Sequence, residues 1–167
     1  EKLVNEFSDF ARMPKPIFQN NDLVVLINDN IKLLSALDKS IIIDFKKNTE
    51  KMIFNSDKEQ LSRVFFNLIK NSIESIQQKS EKDANFKRNI GIELNDNNHH
   101  ISLIINDTGI GFKTLNTNIK DILNPYFTTK TNGTGLGLSI VNKILNDHNG
   151  SIEFISKDNG AEIKIVF

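Results

Sequence analysis

An asparagine pair and two glycine-rich turns are the residues in this chain whose types and spacing could do chemistry. Asn67 and Asn71 lie four apart in a stretch of helical periodicity, so they project from one face. Asparagine is a neutral oxygen ligand. It suits a hard cation that keeps waters and borrows phosphate oxygens, as Mg2+ does when bound with a nucleotide. Further on comes Asp107-Thr108-Gly109-Ile110-Gly111-Phe112, and then Gly133-Thr134-Gly135-Leu136-Gly137-Leu138. In the first turn, glycines would let a flat base lie close to the backbone, while the Asp107 carboxylate accepts a hydrogen bond from an exocyclic amine. A buried, acceptor-only group selects adenine, which donates from N6, over guanine, which presents a carbonyl there. The second turn precedes a helical pattern at Leu138, Val141, Ile144 and Leu145. Free N–H groups at a helix start bind phosphate. This turn is not a dinucleotide fingerprint, because no strand leads directly into it, and not a P-loop, because no Gly-Lys-Ser/Thr follows.

Each signal has a plainer reading beside it. A polar stripe edging an apolar one is the ordinary solvated face of an amphipathic helix. An Asp-Gly turn is a common way to close a strand, and alternate glycines also make a flexible loop. Residues 112–132 are a long polar segment with some helical character at Ile119, Ile122 and Leu123, ending in Asn124-Pro125-Tyr126-Phe127-Thr128-Thr129-Lys130. A segment of that length with little core pattern is unusual in a compact domain. A lid over the nucleotide is its natural role. Lys130 either reaches a phosphate or is a solvated surface lysine.

The elements that must position these groups are legible from periodicity. Residues 1–13 read as the end of a helix, with Leu3, Phe7, Phe10 and Met13 at helical spacing, stopped by Pro14-Lys15-Pro16. The spacing predicts a second helix over 22–37, capped by Asp22, with Leu23, Ile27, Ile31 and Leu34 on one face. Short strands follow at 40–46 and 52–55. Asp57 can cap a long helix that turns Leu61, Val64, Phe65, Leu68, Ser72 and Ile76 inward, with Gln60, Glu74 and Gln78 near the asparagine stripe. Residues 79–87 read as a charged loop. Ile90, Ile92 and Leu94, then Ile101, Leu103 and Ile105, then Ile152 and Phe154, and finally Ile163, Ile165 and Phe167 alternate strictly. Such alternation means a sheet with one buried face, which helices must cover. The expected fold is a two-layer α/β sandwich, a mixed sheet with helices on one face, largely antiparallel in its C-terminal half.

Composition narrows the function. A chain of 167 residues fits one domain, or one domain plus a fragment. Lys+Arg 21 balances Asp+Glu 21, so no basic field argues for nucleic acid. With Cys 0 there are no disulfides and no thiolate metal sites. No apolar run approaches the roughly 18 residues of a membrane span, and no signal peptide is expected. The first residue is Glu1 rather than Met, which reads as a piece of something longer.

In this order the motifs resemble the ATP-binding domain of sensor histidine kinases, in the superfamily shared with gyrase B, the Hsp90 chaperones and MutL. The stretch from Leu61 through Asn67 and Asn71 to Ser72 is similar to the family's N box, and Asp107–Phe112 to the G1 box. Pro125 to Lys130 is similar to the F box and Gly133–Leu138 to the G2 box. The resemblance runs from about residue 22 to the end. It implies the Bergerat-type sandwich and ATP or ADP bound with Mg2+. Asn71 would hold the metal, with Asn67 as a second candidate, and Asp107 would read adenine. Gly109 and Gly111 belong to the base turn, and Phe127, Thr128 and Lys130 to the lid. Gly133, Thr134, Gly135, Leu136 and Gly137 belong to the phosphate turn. Residues 1–16 look like the end of a dimerisation helix and its exit in the nitrogen-regulation branch, leaving 17–167 as the ATP domain.

The resemblance also implies partners. They are a dimerisation and phosphoacceptor domain of the same parent and a response regulator receiver domain. The full-length parent would be a homodimer anchored in the inner (cell) membrane, with this domain in the cytoplasm. The acceptor motif, a histidine followed by an acid on the first dimerisation helix, is absent. His99 and His100 sit in a turn between strands and His148 near a helix end, so all three read as ordinary surface residues. Glu74 stands where many relatives carry a basic residue, which speaks against a phosphate contact there. Two rivals remain: a water-activating ATPase of the gyrase type, and a nucleotide-dependent binding module that regulates a partner without chemistry.

Overall fold

Strict alternation of apolar residues decides the sheet. The computed structural model describes residues 12–112 and 137–167. In chain order these form β1 (Gln19–Asp22), α1 (Leu23–Ser35), β2 (Ile42–Lys47), β3 (Ile53–Ser56), α2 (Lys58–Ser80), β4 (Asn89–Asp96), β5 (Ile101–Asp107), α3 (Gly137–Asp147), β6 (Ser151–Lys157) and β7 (Gly160–Val166). Five strands make one mixed sheet in the order β2-β4-β5-β7-β6. Only β2 runs parallel to its neighbour; β4, β5, β7 and β6 pair antiparallel. Strands β1 and β3 form a separate antiparallel ribbon.

Register turns the alternation into a core. Ile92, Ile105, Ile163 and Phe154 stand side by side across four strands, and Leu94, Leu103, Ile165 and Ile152 make the next row. These rows face α2, whose Leu61, Val64, Phe65, Leu68, Ile69 and Ile76 are fully buried against α1, α3 and the sheet. Burying each such side chain is worth about 1.5–3 kcal/mol relative to leaving it in water. The sandwich predicted from the sequence is therefore the one observed.

Two capping aspartates start the helices as predicted. Asp22 Oδ1 accepts from Val24 N–H at 3.0 Å and from Met52 N–H at 3.0 Å, so one carboxylate caps α1 and joins it to the segment before β3. Asp57 Oδ1 accepts from Gln60 N–H at 3.0 Å, while its Oδ2 accepts from Ile17 N–H at 2.8 Å. The segment before β1 is thus tied to the start of α2. Gln60 adds to this tie by donating to the Pro14 carbonyl at 3.0 Å. Residues 13–18 have no helix, as the prolines require.

Three expectations need correction. His148 is not a surface residue: it is 5% exposed. Its Nε2 accepts from Asp57 N–H at 3.0 Å and its Nδ1 donates to the Ile144 carbonyl at 2.7 Å. Accepting from a backbone N–H leaves Nε2 without a proton, so the ring is the neutral Nδ1–H tautomer. His99 and His100 do lie exposed in the β4–β5 turn. Second, α2 runs on through Lys79 and Ser80, where a loop was expected, because Lys79 is anchored as described below. Third, the helix expected over 22–37 spans Leu23–Ser35, and Asp22 before it ends β1, a strand without strand-forming residues built by its pairing with β3. The expected helix over 1–13 falls, up to residue 11, outside the described residues.

Candidate functional site

Asp107 sits where the inward side of β5 runs out of hydrocarbon. Residues 103, 105 and 107 share one face of the strand. Leu103 and Ile105 enter the core, and the third place in that series is a carboxylate between Ile90 and Ala161 on the neighbouring strands. It is 8% exposed. Burial pushes its carboxyl above the ordinary range. The Gly109 N–H, the Ser72 hydroxyl, the Ala161 N–H and the Lys79 charge pull the other way, in that order. The Ser72 hydroxyl is near enough to favour the charge but falls short of a well-formed hydrogen bond.

The turn after Asp107 is held group by group. Gly109 N–H donates to Asp107 Oδ1 at 2.9 Å, closing an Asx turn. Ile110 N–H donates to Ser75 Oγ at 3.0 Å, and Lys79 Nζ donates to the Thr108 carbonyl at 3.0 Å. Thr108 also continues the ladder: its N–H donates to the Asn89 carbonyl at 3.2 Å, and its hydroxyl accepts from Asn89 N–H at 3.0 Å.

The glycines of this turn answer to protein packing. A Cβ on Gly109 would collide with the Ser75 side chain and lie 2.7 Å from its carbonyl carbon. Gly111 has φ +68° and presses its Cα against the Gly160 carbonyl, 2.5 Å from where a Cβ would stand. Gly160, at φ +125°, presses in turn on the Asp107 carbonyl. The sequence offered close approach of a base as the reason for Gly109 and Gly111. The structure gives another: α2 and the β6–β7 turn fill the space their side chains would need.

Asn67 and Asn71 are half-buried on α2, the helix that also carries Ser72 and Ser75. Amide oxygens on one helical face are a fitting donor set for a cation that brings its own waters and phosphate oxygens. Among the described residues no group of three or more His, Cys, Asp or Glu is placed to hold a metal. Two residues of α2 bear on the ATPase rival, one acid and one amide. Glu74 lies 3.9 Å from Lys70, one turn before it. Gln60, in the region where an activating acid would stand, is buried with its amide on Pro14. Gly137 opens α3, and a Cβ there would meet no atom of the described residues within 4 Å. Phe127, Thr128, Lys130, Gly133, Thr134, Gly135 and Leu136 lie outside the described residues.

Sequence reasoning missed Ser75, Lys79 and Gly160 as parts of this site. Ser75 and Lys79 follow Ser72 at +3 and +7, the spacing of one helical face, and that signal was there to be read. Nothing local marks Gly160 as the neighbour of Gly111.

Comparison with known proteins agrees with this geometry. The sequence family described as "Histidine kinase-, DNA gyrase B-, and HSP90-like ATPase" matches residues 56–167. A Rickettsia conorii protein whose name likens it to the sensor histidine kinase NtrY is 33% identical over 168 residues, covering 100% of this chain and 27% of its own. The nitrogen regulation protein NtrY of Azorhizobium caulinodans is 33% identical over 152 residues, covering 91% of this chain and 19% of its own. The solved catalytic domain of histidine kinase ThkA superposes with a TM-score of 0.74 at 26% identity, covering 90% of this chain and 95% of that one. The chain belongs to the histidine kinase-, gyrase B- and HSP90-like ATPase family. Within it, the chain is a catalytic ATP-binding domain of the sensor histidine kinase type. It spans about a quarter of the length of the curated relatives it matches.

Proposed function

We propose that this domain binds ATP with Mg2+ and transfers the γ-phosphoryl group to a histidine on another part of its parent protein. Residues 17–167 are the ATP domain in this reading, and 1–16 the exit of a dimerisation helix. The buried Asp107 carboxylate carries the reading. A charge kept inside the core at the end of β5, steadied by its own turn and by α2, is costly to the fold and needs a use. An adenine amine supplies that use. Asn71, with Asn67, would hold Mg2+ one helical step from Ser72, so α2 would face both the base and the phosphates. The cation would neutralise phosphate charge. The chain's own residues would orient the nucleotide, which is what phosphoryl transfer asks of a protein. Residues 127–130 would cover it and 133–137 would receive phosphates.

The acceptor would lie in the dimerisation domain of a homodimeric, membrane-anchored parent, with a response regulator receiver domain as the next recipient. His148 offers no alternative acceptor, since both ring nitrogens are engaged inside the fold. Incubation with γ-labelled ATP tests this. The chain alone should take up no label. Added to the parent's dimerisation helices it should produce an acid-labile, alkali-stable phosphohistidine on them, slowly for want of a tether. Stable labelling of this chain alone would overturn the proposal.

A further inference from the structure

Three residues of α2 meet the Asp107 turn at successive points. Ser72 lies beside the carboxylate, Ser75 accepts from Ile110 N–H, and Lys79 donates to the Thr108 carbonyl. Their spacing of three and four residues puts them on one helical face. Lys79 is itself steadied, with its Nζ 4.5 Å from the centroid of the Phe86 ring. Ser72 is 2% exposed, and its hydroxyl has no hydrogen-bond partner of good geometry among the described residues. Leaving a buried hydroxyl so is unfavourable unless it serves something nearby, and the polar group that it influences is Asp107.

We propose that Ser72, Ser75 and Lys79 form a positioning track that fixes the Asp107 carboxylate for base recognition and keeps it charged. This rests on the reading of Asp107 as the adenine acceptor. Two constraints make the track more than a structural tie. Gly109 seats directly on Ser75, so the turn can come no closer to α2 than that side chain allows. Lys79 supplies the positive charge that acts on Asp107, from the same helix that presents Asn71 one residue before Ser72. A shift of α2 would then move the base acceptor and the proposed metal ligand together. Base recognition by a carboxylate needs the charged form, because a protonated acid would present a donor to a donor.

The test begins on the nucleotide-free domain. The Asp107 carboxyl is titrated by carbon-13 NMR in the wild type, Ser72→Ala, Lys79→Met and Lys79→Arg, with amide spectra to confirm folding. Ser72→Ala and Lys79→Met should move the Asp107 titration to higher pH, and Lys79→Arg should restore it. Calorimetry should then show ATP binding weakened about three- to tenfold in the first two variants, a smaller ATP-to-GTP preference, and an unchanged Mg2+ requirement. A wild-type domain that takes ATP and GTP alike would overturn the adenine assignment itself, and is seen before any variant is made. A preference that is intact in the wild type, with an Asp107 titration and base preference unmoved in both variants, would overturn the track alone. If Lys79→Met failed to fold, Ser72→Ala and Lys79→Arg would still decide the matter.

Discussion

Replacing Asp107 by asparagine should weaken ATP binding and strengthen the empty fold, and the two opposite signs make this the sharpest test of the site. The substitution keeps the side chain's shape. Gly109 N–H holds Oδ1 at 2.9 Å, so an asparagine oxygen would stay there and its amide NH2 would take the place of the other carboxylate oxygen. A donor would then face the adenine amine, which is also a donor. Losing a hydrogen bond to a charged group costs about 1.5–3 kcal/mol, equivalent to about a 10- to 150-fold weaker Kd. GTP should lose less or gain, because its O6 accepts. Isothermal calorimetry with both nucleotides reads this directly.

Stability should move the other way. Burial holds the folded Asp107 carboxyl above its unfolded value. Its contribution to stability is therefore fully present below the ordinary carboxylate range, near pH 3.9, and is lost as pH rises through the folded value. Asparagine carries no such penalty. The nucleotide-free variant should melt higher than the parent at neutral pH, and the gap should close as pH falls toward about 4. A variant that melts lower at neutral pH, or a gap independent of pH, would refute the claim that burial dominates at Asp107. Unchanged affinity for ATP would refute its role in reading the base.

Other perturbations follow from named contacts. Gly160→Ala puts a Cβ on the Asp107 carbonyl at φ +125°; strain of about 1–3 kcal/mol plus the collision should lower Tm and ATP affinity together, whereas a Tm loss with full affinity would separate the β6–β7 turn from the site. His148→Ala strands the Asp57 N–H, while the Ile144 carbonyl keeps its bond from the backbone N–H of residue 148, so urea denaturation should show a loss of about 1–3 kcal/mol; an unchanged midpoint would contradict the buried bridge. Asn71→Ala should leave the fold intact and weaken the Mg2+ dependence of ATP binding; calorimetry with and without Mg2+ decides, and an unchanged dependence would remove Asn71 as the ligand.

Much of this architecture could be read from the chain because short-range rules wrote it. Period-two alternation gave four strands of the main sheet, and prolines marked the helix-free stretch at residues 13–18. Asp22 and Asp57 announced helix starts by their position before apolar runs. What escaped was tertiary. Gln19–Asp22 contains nothing that favours a strand, and becomes one only by lying against Ile53–Ser56. His148 looked like a helix-end residue because the group it serves, Asp57 N–H, is 91 positions away. Gly109 and Gly111 were singled out for the approach of a base; their packing against Ser75 and Gly160 was invisible without the fold.

The same contrast bears on how α2 works. Its Asp57 end holds Ile17, in the segment proposed as the linker, and is bridged by His148 to the end of α3. Its middle carries Asn67 and Asn71, and its far end holds the Asp107 turn through Ser75 and Lys79. One 23-residue helix therefore touches the linker, the proposed metal position and the base acceptor in sequence. A helix is stiff over such a length, so a displacement imposed at the linker is transmitted as a rigid movement more readily than it is absorbed. Cutting the tie at its origin, by replacing Asp57 with alanine, removes both the helix cap and the linker contact. The cap alone is worth about 0.5–2 kcal/mol. Asp57→Ser keeps a capping oxygen but leaves only one for the two N–H groups that Asp57 now serves. If the linker contact matters to the site, the serine variant should retain most of the stability and still alter ATP affinity. Wild-type affinity in that variant would mean that the nucleotide end of α2 does not feel the linker end.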